Sequence, residues 1–407
     1  MKRGSFRDKI LFTIFAIILF RIGSIFPVPC IDAEVLKTAI GAMDGTLFGF
    51  FNMMSGGGLS QASIFAMGVS PYINASIIIQ LLTVAIPALE NKKKEGAEGV
   101  RKLNRLTRYA AIILSIVQGY GFYAMLSKWN ALKYTGVIPA WMIILSFTAG
   151  SFVVIWLGEQ ITKNGMGNGI SIILAAGILS GLPGKVLTLS QIEPKYWIVV
   201  IILLVFAAMV LVVLMNDAEK RIPVIYARSA AAGNAKQTSN LPLKVNMSGV
   251  MPIIFASTIL SIPKTIQMFI PAISNHAVAS KIIGFFDQTS PMYGLIYLLL
   301  IFFFSSFYVS IQYDPVEMAN TLKQQGGMIP GLRPGKPTAD YFKKSMNRLA
   351  FIGALFLGII AVLPIFLSIA FPDSGFYMGG TSLLIIVGVA IETVKQMETE
   401  RLAMKYR

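Results

Sequence analysis

The chain has 407 residues, of which 55% are hydrophobic and 13% charged, with a formal net charge of +16 at pH 7. Soluble domains carry roughly 25% charged residues, so this balance and a mean hydropathy of +0.69 exclude a water-soluble fold and point to a membrane. With Cys30 as its only cysteine no internal disulfide can form; with His276 as its only histidine, a His/Cys metal site is excluded and a His-based triad would have to use a polar loop.

Crossing ~30 Å of hydrocarbon takes about 20 apolar residues per helix. Ten such runs are present, at roughly 10–29, 70–86, 109–127, 141–160, 170–188, 196–215, 248–270, 292–312, 349–371 and 376–394. Long apolar runs without two-residue alternation predict helices, because in lipid every backbone polar group must be satisfied within its own segment. The expected fold is an all-α polytopic membrane protein of ten transmembrane helices. The first run follows the basic start MKRGSFRDK, lacks a small-residue cleavage site and precedes further spans, so a retained helix is expected rather than a signal peptide. Arg21 is the one charge well inside a span. At mid-bilayer it costs at least ~2.5–3.5 kcal/mol, so it should face protein or water, either as a tether to carbonyls or a neighbouring helix, or as a lining group.

Residues 46–67, TLFGFFNMMSGGGLSQASIFAM, are too short and too polar to span, yet they lead from the outer side into the second helix. Half-inserted backbone is tolerated only where it lines or fills a protein cavity. Residues 59–67 are therefore expected to form a short re-entrant helix that stops a pore from outside; a helix lying in the interface is the alternative.

Lys and Arg set the orientation. With the N-terminus inside, 27 of the 35 fall in cytoplasmic segments, seven in outer loops, and Arg21 within the first span. Both termini are expected to be cytoplasmic. Anionic lipid accounts for Lys92, Lys93 and Lys94. The loops 216–247 and 313–348 exceed the usual length of loops without structure of their own. The second carries the tip GGMIPGLRPGKPTADYF, where Gly and Pro turn formers accompany Arg333 and Lys336; a shaped projection that docks a large acidic partner or nucleic acid is expected. GLRPGKPT is no phosphate loop, since Pro337 stands where Ser or Thr should follow Gly-Lys and the glycine spacing is too short. The spans hold no paired carboxylates or serine elbow; Glu159 and Glu392 lie toward cytoplasmic helix ends, where snorkelling or loop pairing is expected. No enzymatic role and no cofactor are expected.

Residues 68–78, GVSPYINASII, and 249–259, GVMPIIFASTI, agree at seven of eleven positions. Each opens the second helix of a five-helix half, 1–194 or 195–407, and the loop count makes them run in opposite directions. Two inverted repeats with interrupted helices at matching places point to a pathway near the midplane, between 70–86 and 248–270. A secondary transporter of a small solute would share this design, but would place ionisable groups where these positions are apolar. A scaffold that docks partners through basic loops explains neither the repeat nor the half-inserted segment.

The strings GGGLSQASIFAMGVSPYINASIIIQLL, GMGNGISIIL, LPLKVNMSGVMPIIFAST, GMIPGLRPGKPT and GGTSLLIIVGVA, in this order through the whole chain, closely resemble the SecY family of protein-translocation channels of bacteria and plastids. The resemblance implies an hourglass pore that is closed by a plug and opens sideways into lipid. The plug would comprise Gly58, Leu59, Ser60, Gln61, Ala62, Ser63, Ile64 and Phe65, within about 56–67. A constricting ring would take Val69 and Ile73 from the second helix, Leu174 and Ile178 from the fifth, Ile254 from the seventh and Ile385 from the tenth. Ile73 and Ile254 also correspond in the repeat. Branched apolar side chains bind no ion strongly, dewet when empty and yield around a polypeptide of any sequence. The lateral gate would involve Asn74, Gln118, Thr258 and Ile262; interhelical polar links of about 0.6 kcal/mol each suit a seam that must part.

The implied partners are small subunits of the SecE and SecG type, the SecA motor ATPase, the ribosome, signal peptides and nascent polypeptides, and membrane lipids, all at the bacterial plasma membrane. Energy would come from the motor, the ribosome or the proton gradient. Arg333 and Lys336 would contact motor or ribosome. The loop YARSAAAGNAKQTSNLPLK departs from the family pattern, lacking an adjacent arginine pair near its tip and keeping only Arg228 and Lys236.

Overall fold

The computed structural model describes residues 6–41, 47–189, 196–226, 239–269, 283–286, 290–370 and 380–405. Two compact units result, one of residues 1–192, 261–283 and 389–407, the other of 193–260 and 284–388. In chain order the helices are α1 (Phe6–Gly23), α2 (Ala33–Gly41), α3 (Leu47–Met54), α4 (Ser70–Ala85), α5 (Pro87–Lys94), α6 (Ala97–Lys128), α7 (Val137–Asn164), α8 (Gly169–Leu189), α9 (Tyr196–Asp217), α10 (Met251–Phe269), α11 (Pro291–Gln312), α12 (Pro315–Gln324), α13 (Lys336–Ala370) and α14 (Gly380–Lys405). The strands are β1 (Glu219–Tyr226), β2 (Ser239–Lys244) and β3 (Gly327–Met328).

Helices α1, α4, α6 to α11, α13 and α14 each overlap one of the ten apolar runs. Five stretches, Glu98–Lys128, Val137–Asn164, Ile198–Asp217, Pro291–Gln324 and Lys336–Leu363, are long and apolar enough alone to cross a membrane, and α4 with α5 makes a broken pair bent by 105°. The break has a local cause. Pro87 lacks an N–H and disfavours helical backbone at Ile86, which is extended at φ −111 and ψ 111.

In the first unit α6 packs on α4 and α7, and α7 and α8 pack on each other and on α1. Arg108 on α6 pairs with Glu159 on α7, and Lys9 on α1 reaches Glu400 on α14 at 2.6 Å. In the second unit α11 lies along α13, and the buried hydroxyls of Ser248 and Ser305 meet at 3.0 Å. Val199, Ile202, Leu203 and Phe206 of α9 are exposed, as expected of an apolar helix facing lipid.

The expected projection exists, and it joins both long loops. β1 pairs antiparallel with β2, from Glu219↔Lys244 to Val224↔Ser239, and with β3 at Ile225↔Met328, giving the order β2-β1-β3. Along β1, Ile222 and Val224 are buried while Arg221 and Pro223 are exposed, the period-2 pattern of a strand with one covered face. Pro223 sits where β1 has a partner on one side only, because β3 pairs from Ile225 onward, so its missing N–H costs no ladder bond there. The covering layer is α12 and the first turns of α13, which contribute Ala319, Leu322, Ala339, Phe342 and Met346. Asp314 caps α12, its carboxylate accepting from Val316 N at 2.8 Å, with Pro315 in the first turn.

Phe342 is fully buried in this small core. Phe342→Ala should destabilise the projection by about 3–5 kcal/mol. The check is the urea dependence of trypsin cleavage at Lys220 and Arg221, which should move to markedly lower urea in the variant.

Candidate functional site

The segment between α3 and α4 is buried in the first unit, and its backbone runs through successive turns from Ser55 to Val69. The segment expected to form a short re-entrant helix over 59–67 is wound into turns instead of a regular helix. The reason lies in its ends and its core: Gly56 (φ 70), Gly57 (φ 82) and Gly68 (φ 53) are left-handed, as is Ala62 (φ 51), and such residues interrupt a right-handed helix. Local bonds replace the helical ladder. Ser63 N donates to Gly58 O at 2.8 Å, Ala66 N to Ser63 O at 3.0 Å, and the Asn52 side chain accepts from Ser60 N at 2.9 Å.

This segment is seated against several elements of the first unit, with Gln61 left exposed. Leu59, Ala62, Ala66 and Met67 share a core with Val28, Leu36, Phe122, Met125, Ile143 and Phe147. Val28 N donates to Ala62 O at 2.7 Å and Ile64 N to Phe26 O at 2.9 Å, with Pro27 and Ser63 as bridge partners. Phe65 stacks on Phe20, ring centroids 6.2 Å apart.

Three glycines make room for the seat. A side chain at Gly23 would strike the Phe65 ring, one at Gly150 of α7 the Ile64 carbonyl, and one at Gly177 of α8 the Met54 carbonyl. None was singled out from the sequence, where the available signal is only that small residues allow close helix approach in membranes.

Arg21, the charge inside α1, is half-buried, and its Nη1 donates to Gly56 O at 3.0 Å and to Ser180 Oγ at 2.7 Å. Of the two roles open from the sequence, the geometry is that of a tether.

The candidate ring residues are all buried: Val69 (1%), Ile73 (7%), Leu174 (5%) and Ile178 (2%) in the first unit, Ile254 (6%) and Ile385 (2%) in the second. Val69 and Ile73 stand one turn apart at the start of α4, where Ile73 N donates to Val69 O; Leu174 and Ile178 stand one turn apart on α8. In the second unit a side chain at Gly388 of α14 would meet Val250 Cγ2 at 3.1 Å, so the start of α10 lies beside the third turn of α14. The two repeat copies share their local geometry. Gly68 and Gly249 are both left-handed (φ 53 and 62), Pro71 and Pro252 both lie in the first helical turn, and Ile254 N bonds Val250 O as Ile73 N bonds Val69 O.

For the candidate gate, Asn74 and Gln118 lie on the contacting helices α4 and α6, both half-buried and neither with a hydrogen-bond partner among the described residues. Thr258 turns its hydroxyl to its own helix, donating to Ile254 O at 2.8 Å. Ile262 is on the same helix, its side chain outside the described residues. Arg333 is exposed between β3 and α13, Lys336 is exposed as the first residue of α13, and Arg228 and Lys236 lie outside the described residues. The described residues include no cluster of His, Cys, Asp or Glu that could hold a metal.

Residues 63–394 match the SecY family model. The chain belongs to the SecY family. It is 41% identical to the protein translocase subunit SecY of Escherichia coli (strain K12) over 414 residues, covering 99% of this chain and 93% of that protein. Against the SecY of Bacillus subtilis (strain 168) the identity is also 41%, over 429 residues covering 100% and 97%. Among solved structures, one described as a protein-conducting channel aligns with a TM-score of 0.66 at 19% identity, over 99% of this chain and 94% of that one. Another, of a SecY whose plug domain is described as stabilising the closed state and maintaining a membrane seal, aligns at 0.67 with the same identity and coverage. The chain thus has the ten-span, two-half SecY fold of a multi-pass membrane protein, and SecY is a channel subunit rather than a catalyst.

Proposed function

We propose that this chain is the central pore-forming subunit of a protein translocase. It conducts unfolded secretory polypeptides across the membrane and releases hydrophobic helices sideways into lipid. The observation that carries this reading is the turn-rich segment seated among α1, α6, α7 and α8 in a member of the SecY family. Residues 58–65 act as the plug, and Val69, Ile73, Leu174, Ile178, Ile254 and Ile385 as an apolar gasket around the passing chain. Burial and branched or long aliphatic character at all six support that role. Asn74, Gln118, Thr258 and Ile262 form the seam that parts. The amides of Asn74 and Gln118, unbonded among the described residues, are available to an entering signal peptide.

The protein sits in the bacterial plasma membrane with both termini cytoplasmic, a reading supported by the Lys and Arg distribution. SecE-type and SecG-type subunits flank it, and SecA or the ribosome docks on the projection, at Arg333, Lys336, Arg228 and Lys236. These partners or the proton gradient supply the energy, and no cofactor takes part.

The test places a photo-crosslinker at Ile254 and at the exposed Phe206, then stalls a secretory precursor in transit with SecA and ATP. Crosslinks at Ile254 and none at Phe206 are expected. Crosslinks at neither position, in a complex competent to bind precursor, would remove Ile254 from the pathway and the polypeptide-channel reading with it.

A further inference from the structure

We infer that Arg21 is a clasp that holds the glycine hinge of the plug to α8, so that displacement of α8 frees the plug; this rests on the reading of residues 58–65 as a plug. One guanidinium nitrogen ties together three elements: α1, which carries it, the Gly56 carbonyl at the start of the turns, and the Ser180 hydroxyl of α8. Ser180 is itself fixed to its helix, donating to Gly177 O at 2.6 Å. Among the described residues no carboxylate pairs with Arg21, so its charge is directed at these two oxygens, and hydrogen bonds from a charged donor are about twice as strong as neutral ones.

The point of attachment matters more than the number of bonds. Gly56 and Gly57 (φ 70 and 82) and Gly68 (φ 53) bracket the segment with left-handed backbone. Between them the turns are bonded to one another, so the plug swings as a body about its ends. Arg21 grips one of those ends. The body itself is held mainly by apolar packing: its main-chain bonds to residues 26–28 are two, and among the described residues the buried hydroxyls of Ser63 on the plug and Ser151 on α7 have no partner. Such unsatisfied groups weaken the seated state. A body seated by non-directional apolar packing with a gripped hinge is a device for release, and α8, which also bears Leu174 and Ile178, is the element whose movement breaks the grip.

Ion conductance of reconstituted vesicles tests this. Arg21→Leu should raise resting conductance about tenfold, equivalent to ~1.4 kcal/mol in the seated balance. Arg21→Lys should fall between parent and Arg21→Leu, and Ser180→Ala should give a smaller rise than Arg21→Leu. A role in folding alone is separated by a lock. With Cys30→Ser as background, Pro27→Cys and Ser63→Cys place thiols at bridge partners, whose Cα spacing of roughly 4.5–5.5 Å suits a disulfide. Oxidation should abolish the leak of Arg21→Leu. A leak that survives the lock, or Arg21→Leu vesicles as tight as parent while deletion of 58–65 leaks, overturns the clasp. Tight vesicles after the deletion would instead show that the plug reading is wrong, and the clasp falls with it.

Discussion

Vesicles that carry the channel without residues 58–65 should leak ions at rest, with a conductance far above that of the parent protein. The deletion is a clean one because of how the segment closes on itself. A side chain on Gly68 would meet Ser55 Cα at 3.7 Å, so the two ends of the turn region already touch. The segment is a compact loop of the Ω type, and shortening it requires no movement of α3 or α4. What disappears is the occupant. Leu59 and Ala62 leave a seat lined by Phe122, Met125, Ile143 and Phe147, Phe65 leaves Phe20, and water reaches apolar walls that the segment had covered. Each large apolar group removed forfeits roughly 1.5–3 kcal/mol of burial, so some loss of thermal stability should accompany the leak. Unchanged conductance in vesicles with normal channel content would rule out the plug.

The helices were legible because their apolar runs stand out from the charged segments between them, and the pair of Gly-Val-x-Pro starts was legible because sequence identity and left-handed glycine coincide at Gly68 and Gly249. The charged ends of α6 and α13 were not. α13 begins at Lys336, well before the run near 349, since Lys343, Lys344 and Arg348 depress the average hydropathy there. The signal was periodic instead: Ala339, Phe342, Met346, Leu349 and Ala350 recur at helical spacing and all are buried. Likewise α6 starts at Ala97, under the charges of residues 98–108. The strand pattern of Ile222 and Val224 could be read locally, but the pairing of β1 with β3 joins two loops about a hundred residues apart, and nothing local specifies it. The same holds for the seat of residues 58–65. That Gly150 meets Ile64, or Gly177 meets Met54, is a long-range fact that one sequence does not carry, whereas the need of Arg21 for a polar partner followed from the cost of a charge in lipid.

Arg333→Glu should abolish most SecA-driven export while leaving the channel inserted and folded. The fold does not depend on this side chain. Arg333 is exposed and has no ion pair among the described residues. What the structure uses at this position is the backbone, whose carbonyl accepts from Thr338 Oγ1 at 2.9 Å. Gly331 (φ 80) and Gly335 (φ 106) set the turn on either side, and substitution at 333 disturbs neither. Reversal therefore changes the local charge by two and little else. Against an acidic docking surface, a like charge costs on the order of several kcal/mol and slows encounter. Arg333→Ala, which only removes the attraction, should export better than Arg333→Glu. Because the contact is exposed, raising salt should narrow the difference between the variants. The measurement is the rate of precursor uptake into reconstituted vesicles with SecA and ATP, with resting conductance and trypsin cleavage at Lys220 and Arg221 as controls. Unaltered uptake by Arg333→Glu would remove Arg333 from the docking surface. Lost uptake with normal conductance and normal trypsin resistance would separate docking from folding, and the projection would then be the place where driving force enters the channel.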